Sequence, residues 1–213
     1  MERVRLTSTN IEGVADRAAD ALRSGGVVLY PTDTLYGLGA DAFSDEAVGK
    51  IYDIKGREEG KLIHAIVANV EMAGRYGEVN DLGRALVREL PPGKVTLIVC
   101  KKQDIDSGIC RAVSTFGFRI PDNEFCLKLL RSFGGPITAT SANKSGETPP
   151  RDIKTILAQF GEGAKNIDLA VDAGRLPAGK PSTVVDLTSP EPVILREGAV
   201  SAADVWEAID TRY

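Results

Sequence analysis

Histidine is almost missing from this 213-residue chain, in which His64 is the only one. Cys100, Cys110 and Cys126 are an odd set without CxxC spacing. These scarcities argue against a structural zinc site and a disulfide framework, and no protein-held metal is expected. No apolar run is long enough to span a bilayer, and Met1-Glu2-Arg3-Val4-Arg5 lacks a signal-peptide core, so the expected location is cytoplasmic. Neither HxxxH, GxSxG nor GxxxxGK(S/T) occurs. A zincin, a hydrolase triad and a Walker-A nucleotide site are thereby disfavoured. Positive charge is not in excess: 26 Lys+Arg stand against 30 Asp+Glu, a net of −4. That balance argues against a surface built mainly to hold nucleic acid. Internal repeats and Pro/Gly/Ser-rich linkers are also missing, so a single domain over residues 1–213 is expected.

What is present organises around Val27-Val28-Leu29-Tyr30-Pro31-Thr32-Asp33-Thr34-Leu35-Tyr36-Gly37-Leu38-Gly39. The apolar start reads as a buried strand. Pro31, with no N–H to donate, ends its pairing. Two threonines around an aspartate precede a tyrosine and two glycines, which permit a sharp turn and close approach of backbone to a ligand. A buried strand ending in hydroxyls and small residues is how an α/β protein presents a site. A plain strand and turn with surface threonines has the same pattern.

Ile11, Val14, Ala15, Ala18 and Leu22 fall at helical spacing before Gly25-Gly26. Ser44-Asp45-Glu46 reads as the start of a second helix, which ends in Lys55-Gly56-Arg57-Glu58-Glu59-Gly60-Lys61. Further helices are expected at 81–90, about 122–132, around Ile153–Phe160 and at 202–209. Strands are expected at 62–68, 95–100, 116–120, 136–140, 169–171, 183–187 and 193–195. Helices and strands interleave, which predicts one α/β domain around a mixed sheet.

Cations gather at the ends of these elements. Lys55, Arg57 and Lys61 crowd a helix end and its loop, while Arg119 and Arg196 end strands. In an acidic chain this suggests an anion pocket, with arginine suited to bidentate phosphate or carboxylate contacts. The plain alternative is that basic residues complement a helix C-terminus. Ser141 and Asn143 follow a strand, placed either to donate to ligand oxygens or to make a turn. His64 shares one strand face with Leu62 and Ile66 and reads as a half-buried structural histidine.

Tyr30–Gly39, Lys55-Gly56-Arg57 and Ser141-Ala142-Asn143 resemble the YrdC-like family, whose signature pairs Lys-x-Arg with Ser-x-Asn. Phe116–Pro121, Pro181–Asp186 and Leu195–Gly198 look like further family blocks in the expected order. The resemblance covers about residues 10 to 200. It implies a twisted mixed sheet with flanking helices enclosing a positively lined cavity, and the chain's length resembles the single-domain form. The implied activity is L-threonylcarbamoyladenylate synthesis, a nucleotidyl transfer from L-threonine, bicarbonate (or CO2) and ATP with release of pyrophosphate. Its product would feed a downstream tRNA threonylcarbamoyl-transferase complex.

By the same resemblance, Thr34, Arg119 and Ser182 would hold L-threonine, with Thr32 beside them. Lys55, Arg57, Lys61, Thr115, Ser141, Asn143 and Arg196 would hold ATP. Lys55 and Arg57, with Mg2+, would offset charge on the phosphates during transfer. Glu58 and Leu62 depart from the family pattern, as do Lys94-Val95 where it has proline and an aromatic. Ile66 stands where many relatives carry histidine. The main alternative is a double-stranded RNA-binding module in ribosome maturation. The net negative charge and lack of interleaved aromatics count against it, so direct RNA binding is expected to be weak or absent. A carbamoyl-transfer domain is a second alternative.

Overall fold

Helical stripes and short apolar runs alternate through the chain, and the elements follow them. A computed structural model describes residues 1–57 and 62–210. In chain order its elements are β1 (Glu2–Arg5), α1 (Ile11–Arg23), β2 (Val28–Tyr30), β3 (Gly37–Gly39), α2 (Asp45–Lys55) and β4 (His64–Ile66). Next come α3 (Val70–Ala73), α4 (Asp81–Glu89), β5 (Val95–Cys100), β6 (Thr115–Arg119), α5 (Glu124–Phe133) and β7 (Ile137–Ser141). The chain closes with α6 (Ile153–Phe160), β8 (Leu169–Asp172), β9 (Thr183–Asp186), β10 (Val193–Arg196) and α7 (Ala202–Asp210).

Among the described residues the strands form one sheet in the order β1-β8-β2-β3-β7-β4-β6-β5-β9-β10. Pairs such as β2–β8 and β4–β6 are parallel, while β2–β3, β3–β7, β4–β7 and β5–β6 are antiparallel. The mixed sheet is therefore as expected. One face is covered by α1 and α5, whose Ala15, Ala18, Leu22, Phe125 and Leu129 pack with Val28 and Val171. The other face carries α2, α4, α6 and α7, through residues including Ile51, Leu86, Ile156 and Val205. No helix among the described residues is long and apolar enough to cross a membrane.

Two local features position the site. Ser44 caps α2 by accepting the Ala47 N–H, and Gly56 ends it in the left-handed region at φ 54°. This turn directs Arg57 away from the helix axis. The second feature corrects the sequence reading: Gly37-Leu38-Gly39 is a strand rather than a sharp turn. Its glycines are needed for closeness instead. A Cβ on Gly39 would stand 2.8 Å from Tyr30 Cε1, and one on Gly37 would stand 3.1 Å from Tyr30 Cζ. The Tyr30 ring lies across this strand and donates its hydroxyl to the Thr138 carbonyl. β1 and the short α3 were also outside the expected elements. β1 is an edge strand of largely exposed, charged residues and carries no apolar alternation.

Candidate active site

Register brings small residues from neighbouring strands onto one face of the sheet. Tyr30 pairs with Gly37, Gly37 with Ser141, and Ala139 with His64. Because Ala65 pairs with Phe118, His64 falls beside Gly117. With glycine, alanine and serine along this row, little side-chain bulk rises from the sheet. The result is a cleft of about 590 Å³.

At one end of the cleft the loop after β2 supplies hydroxyls. Thr32 Oγ1 donates to the Leu35 carbonyl at 2.7 Å and accepts the N–H groups of Thr34 (3.0 Å) and Leu35 (3.2 Å). Thr32 therefore shapes the loop, as threonine does in such turns. The Thr34 hydroxyl, 3.0 Å from that of Thr32, is held at the cleft wall. Arg119 enters from the end of β6. Its Nη1 donates to Asp33 Oδ1 at 2.8 Å and to the Gly93 carbonyl at 2.9 Å. Its Nε and Nη2 make no bond among the described residues. Ser182 shares a 2.7 Å hydrogen bond with Thr96, and both line the same end.

Arg57 and Ser141 stand at the other end, and Arg196 lines the cleft wall from β10. Arg196 Nε and Nη2 donate to the Ser182 carbonyl at 3.2 and 2.8 Å. Ser182 thus meets Thr96 through its hydroxyl and Arg196 through its carbonyl. Arg57 Nη2 donates to the Leu62 carbonyl at 2.9 Å, while its Nε is buried without a partner among the described residues. An orphaned buried donor is destabilising by about 1–3 kcal/mol and marks a place where an acceptor fits. Arg151 also lines the cleft, and no carboxylate does among the described residues. The lining is cationic.

Some expected residues stand elsewhere. Lys55 was expected at the phosphates, but its ammonium is buried beneath the floor. It donates to the carbonyls of Ser141 and Asn143, the latter at 2.8 Å. Burial, then the neighbouring Arg57, pulls its pKa down to about 7. Asn143 is also buried and committed: it accepts from Ser141 Oγ and donates to the carbonyls of Lys144 (2.7 Å) and Glu147 (2.8 Å). The Ser-x-Asn segment is thus a turn pinned by Lys55, and of its two named side chains only Ser141 lines the cleft. Thr115 opens β6, pairs with Cys100 and does not line the cleft. Arg119, four residues on, lies roughly 13 Å further along an extended strand. Lys61 and Glu58 lie outside the described residues.

His64 was expected in a structural setting and lines the cleft instead. Burial, followed by Arg196 and Arg57, lowers its pKa to about 4. A glycine opposite it, Gly117, was the only sequence signal for that exposure, since glycine within a strand marks close approach. Ile66 is fully buried beside Arg119 in the register.

A family model described as "Telomere recombination", the Sua5/YciO/YrdC domain, matches residues 20–198. The threonylcarbamoyl-AMP synthase of Pyrococcus abyssi is 33% identical over 193 residues, covering 90% of this chain and 56% of the relative. A putative threonylcarbamoyl-AMP synthase of Mycobacterium tuberculosis is 34% identical, covering 90% of this chain and 87% of its own length. Among solved structures, P. abyssi Sua5 complexed with L-threonine superposes with a TM-score of 0.87 at 32% identity. That match covers 98% of this chain and 60% of the solved one. The chain therefore spans little more than half the length of the archaeal relative.

Proposed function

Because the chain belongs to the Sua5/YciO/YrdC family, we propose that it makes threonylcarbamoyl-AMP and pyrophosphate from L-threonine, bicarbonate (or CO2) and ATP. The observation that carries this reading is the division of one cationic cleft. Hydroxyls and a pre-oriented arginine stand at one end, Arg57 with an unpartnered buried donor stands at the other, and Arg196 lines the wall.

In this reading Arg119 grips the amino acid's carboxylate with the donors not committed to Asp33 and Gly93. The Thr34 hydroxyl meets the substrate hydroxyl, and Ser182 closes the same end. Arg57 and Arg196 receive the phosphates. A carbamate oxygen attacks the α-phosphorus and pyrophosphate leaves. Two anions must approach, so the main barriers are charge repulsion and alignment. Fixed guanidinium groups reduce the first and the shaped cleft the second. Mg2+ enters on ATP as part of that substrate, since the lining offers it no carboxylate among the described residues. Lys55 acts one layer back as a positioning residue for the Ser141 turn. The product passes to a tRNA threonylcarbamoyl-transferase in the cytoplasm.

Pyrophosphate release from ATP, with and without L-threonine and bicarbonate, tests the proposal. Dependence on both is expected. Dependence on carbamoyl phosphate instead would indicate carbamoyl transfer. No turnover together with tight duplex-RNA binding at physiological salt would indicate the RNA module.

A further inference from the structure

His64 is a polar side chain without a partner at the centre of the cleft. The residue is half-buried and its ring nitrogens are not buried atoms, so they open to the cleft rather than into the core. Among the described residues His64 makes no hydrogen bond. Its imidazole lies over Gly117, where an added Cβ would stand 2.4 Å from His64 Cδ2 and 3.2 Å from Nε2. Any side chain at position 117 would evict the ring.

The strand register fixes where that ring sits. Gly117 is two residues before Arg119 on β6, and Ala139, its other neighbour, is two residues before Ser141 on β7. Two residues along a strand is one pleat repeat on the same face, roughly 7 Å. The imidazole therefore stands between the amino-acid end and the phosphate end. An amino acid whose carboxylate rests on Arg119 carries its amine two bonds from the carboxylate carbon, so an amine turned toward the phosphate end meets this ring.

The surroundings keep this ring neutral. Arg57, Arg119, Arg151 and Arg196 share the cleft with it, and Tyr30 and Tyr36 are the other titratable groups there. Burial raises the pKa of both phenols, that of Tyr36 to about 12, so both stay protonated. Burial and the guanidinium groups of Arg196 and Arg57 depress the imidazole.

We propose that His64 accepts a proton from the amine of the bound amino acid as the carbamate forms. This role rests on reading the cleft as a threonylcarbamoyl-AMP synthase site. The amino acid enters as an ammonium. One N–H bond breaks, its proton passes to the open imidazole nitrogen and its electron pair stays on the amine. That pair forms the N–C bond to CO2, while one C=O pair moves onto oxygen. The nitrogen then sheds a second proton to solvent, leaving the carbamate. When bicarbonate is the source, it takes up one proton as it yields CO2 and water, so one proton leaves overall.

A depressed imidazole is a weak base, and the cleft contains the remedy. Burial, the larger depressant, remains, while triphosphate bound on Arg57 and Arg196 offsets the two cations that add to it. ATP binding thus raises the basicity of His64, and the amine is deprotonated only once the nucleotide is in place.

Because the chain has one histidine, its ring Cε1–H resonance needs no assignment. In the wild-type protein the titration midpoint should lie well below the ordinary histidine value and rise by at least one pH unit with saturating Mg·ATP. A midpoint that Mg·ATP leaves unmoved overturns the proposal. His64→Asn and His64→Gln should lower threonine- and bicarbonate-dependent pyrophosphate release about 100-fold or more, the range of a lost general base. Both should keep within a few-fold the formation of ATP from threonylcarbamoyl-AMP and pyrophosphate, which breaks no N–H bond. Equal loss in both directions, or an undiminished forward rate, overturns the role of His64. Absence of dependent pyrophosphate release in the wild-type protein overturns the reading of the cleft itself.

Discussion

Arg119 Nη1 lies 2.8 Å from Asp33 Oδ1, and the two side chains are only 8% and 5% exposed. One arm of the guanidinium is therefore fixed before any ligand arrives, and the residue lines the cleft. Asp33 is also met by Lys94 Nζ at 3.2 Å. That lysine stands where the resembling family has proline, so in this chain a second cation shares the carboxylate.

Asp33→Asn should weaken amino-acid binding more than it slows chemistry. It keeps the shape but removes the charge that holds Arg119, and breaking a buried pair costs about 3–5 kcal/mol. The expected outcome is a raised KM for L-threonine, a smaller change in kcat, and a lowered denaturation midpoint.

Substitution of the two signature cations should separate. Arg57→Ala should reduce kcat/KM by a factor equivalent to about 2–4 kcal/mol while thermal stability stays close to wild type. Lys55→Ala should lower stability by about 2 kcal/mol, because the carbonyls of Ser141 and Asn143 lose a buried donor. Denaturant titration of both variants beside pyrophosphate release checks the difference.

Lys55 also gives stability a pH dependence with a definite sign. Its folded pKa is depressed to about 7, from an ordinary value of 10.5. Between those values the unfolded chain holds a proton that the fold does not, so stability rises with pH. The contribution is fully present above about 10.5 and is lost as pH falls toward 7. The wild-type stability difference between pH 7 and 10 should exceed that of Lys55→Met, measured by denaturant titration.

In the proposed reading Arg119 would grip any α-carboxylate, so amino-acid choice should follow the Thr34 hydroxyl. A site that hydrogen-bonds a substrate hydroxyl leaves its partner unpaired when an apolar isostere enters. Amino-acid-dependent pyrophosphate release should follow the order threonine, serine, valine, with serine lower by about 1–3 kcal/mol for its missing methyl. Thr34→Val should narrow the threonine–valine gap more than the threonine–serine gap. Equal rates with valine and threonine in the wild-type protein would remove Thr34 from this role.

Local rules were enough for much of the fold. The helical stripes of α1 and α5, the Ser44 cap and Gly56 stop of α2, and the apolar run of β5 all state their structure within a few residues. The cations expected together at strand and helix ends converge in part, with Arg57, Arg119 and Arg196 lining one cleft and Lys55 outside it. Strand β3 was not legible, because glycines that serve a ring lying over them look like glycines that serve a turn.

What the sequence determined by itself was therefore the element order apart from β1, β3 and α3, the mixed α/β class and the set of residue types available to a site. Which of those residues face one another was decided only by tertiary structure. Lys55 and Arg57 are two positions apart, yet Arg57 enters the cleft and Lys55 turns beneath its floor to the Ser141 and Asn143 carbonyls. His64 and Gly117 are distant in sequence and become neighbours through the pairing of β4 with β6. Helix periodicity and caps are set by bonds a few residues apart, whereas exposure at a cleft depends on register between strands far apart in the chain. Register is set by packing on both faces of the sheet at once.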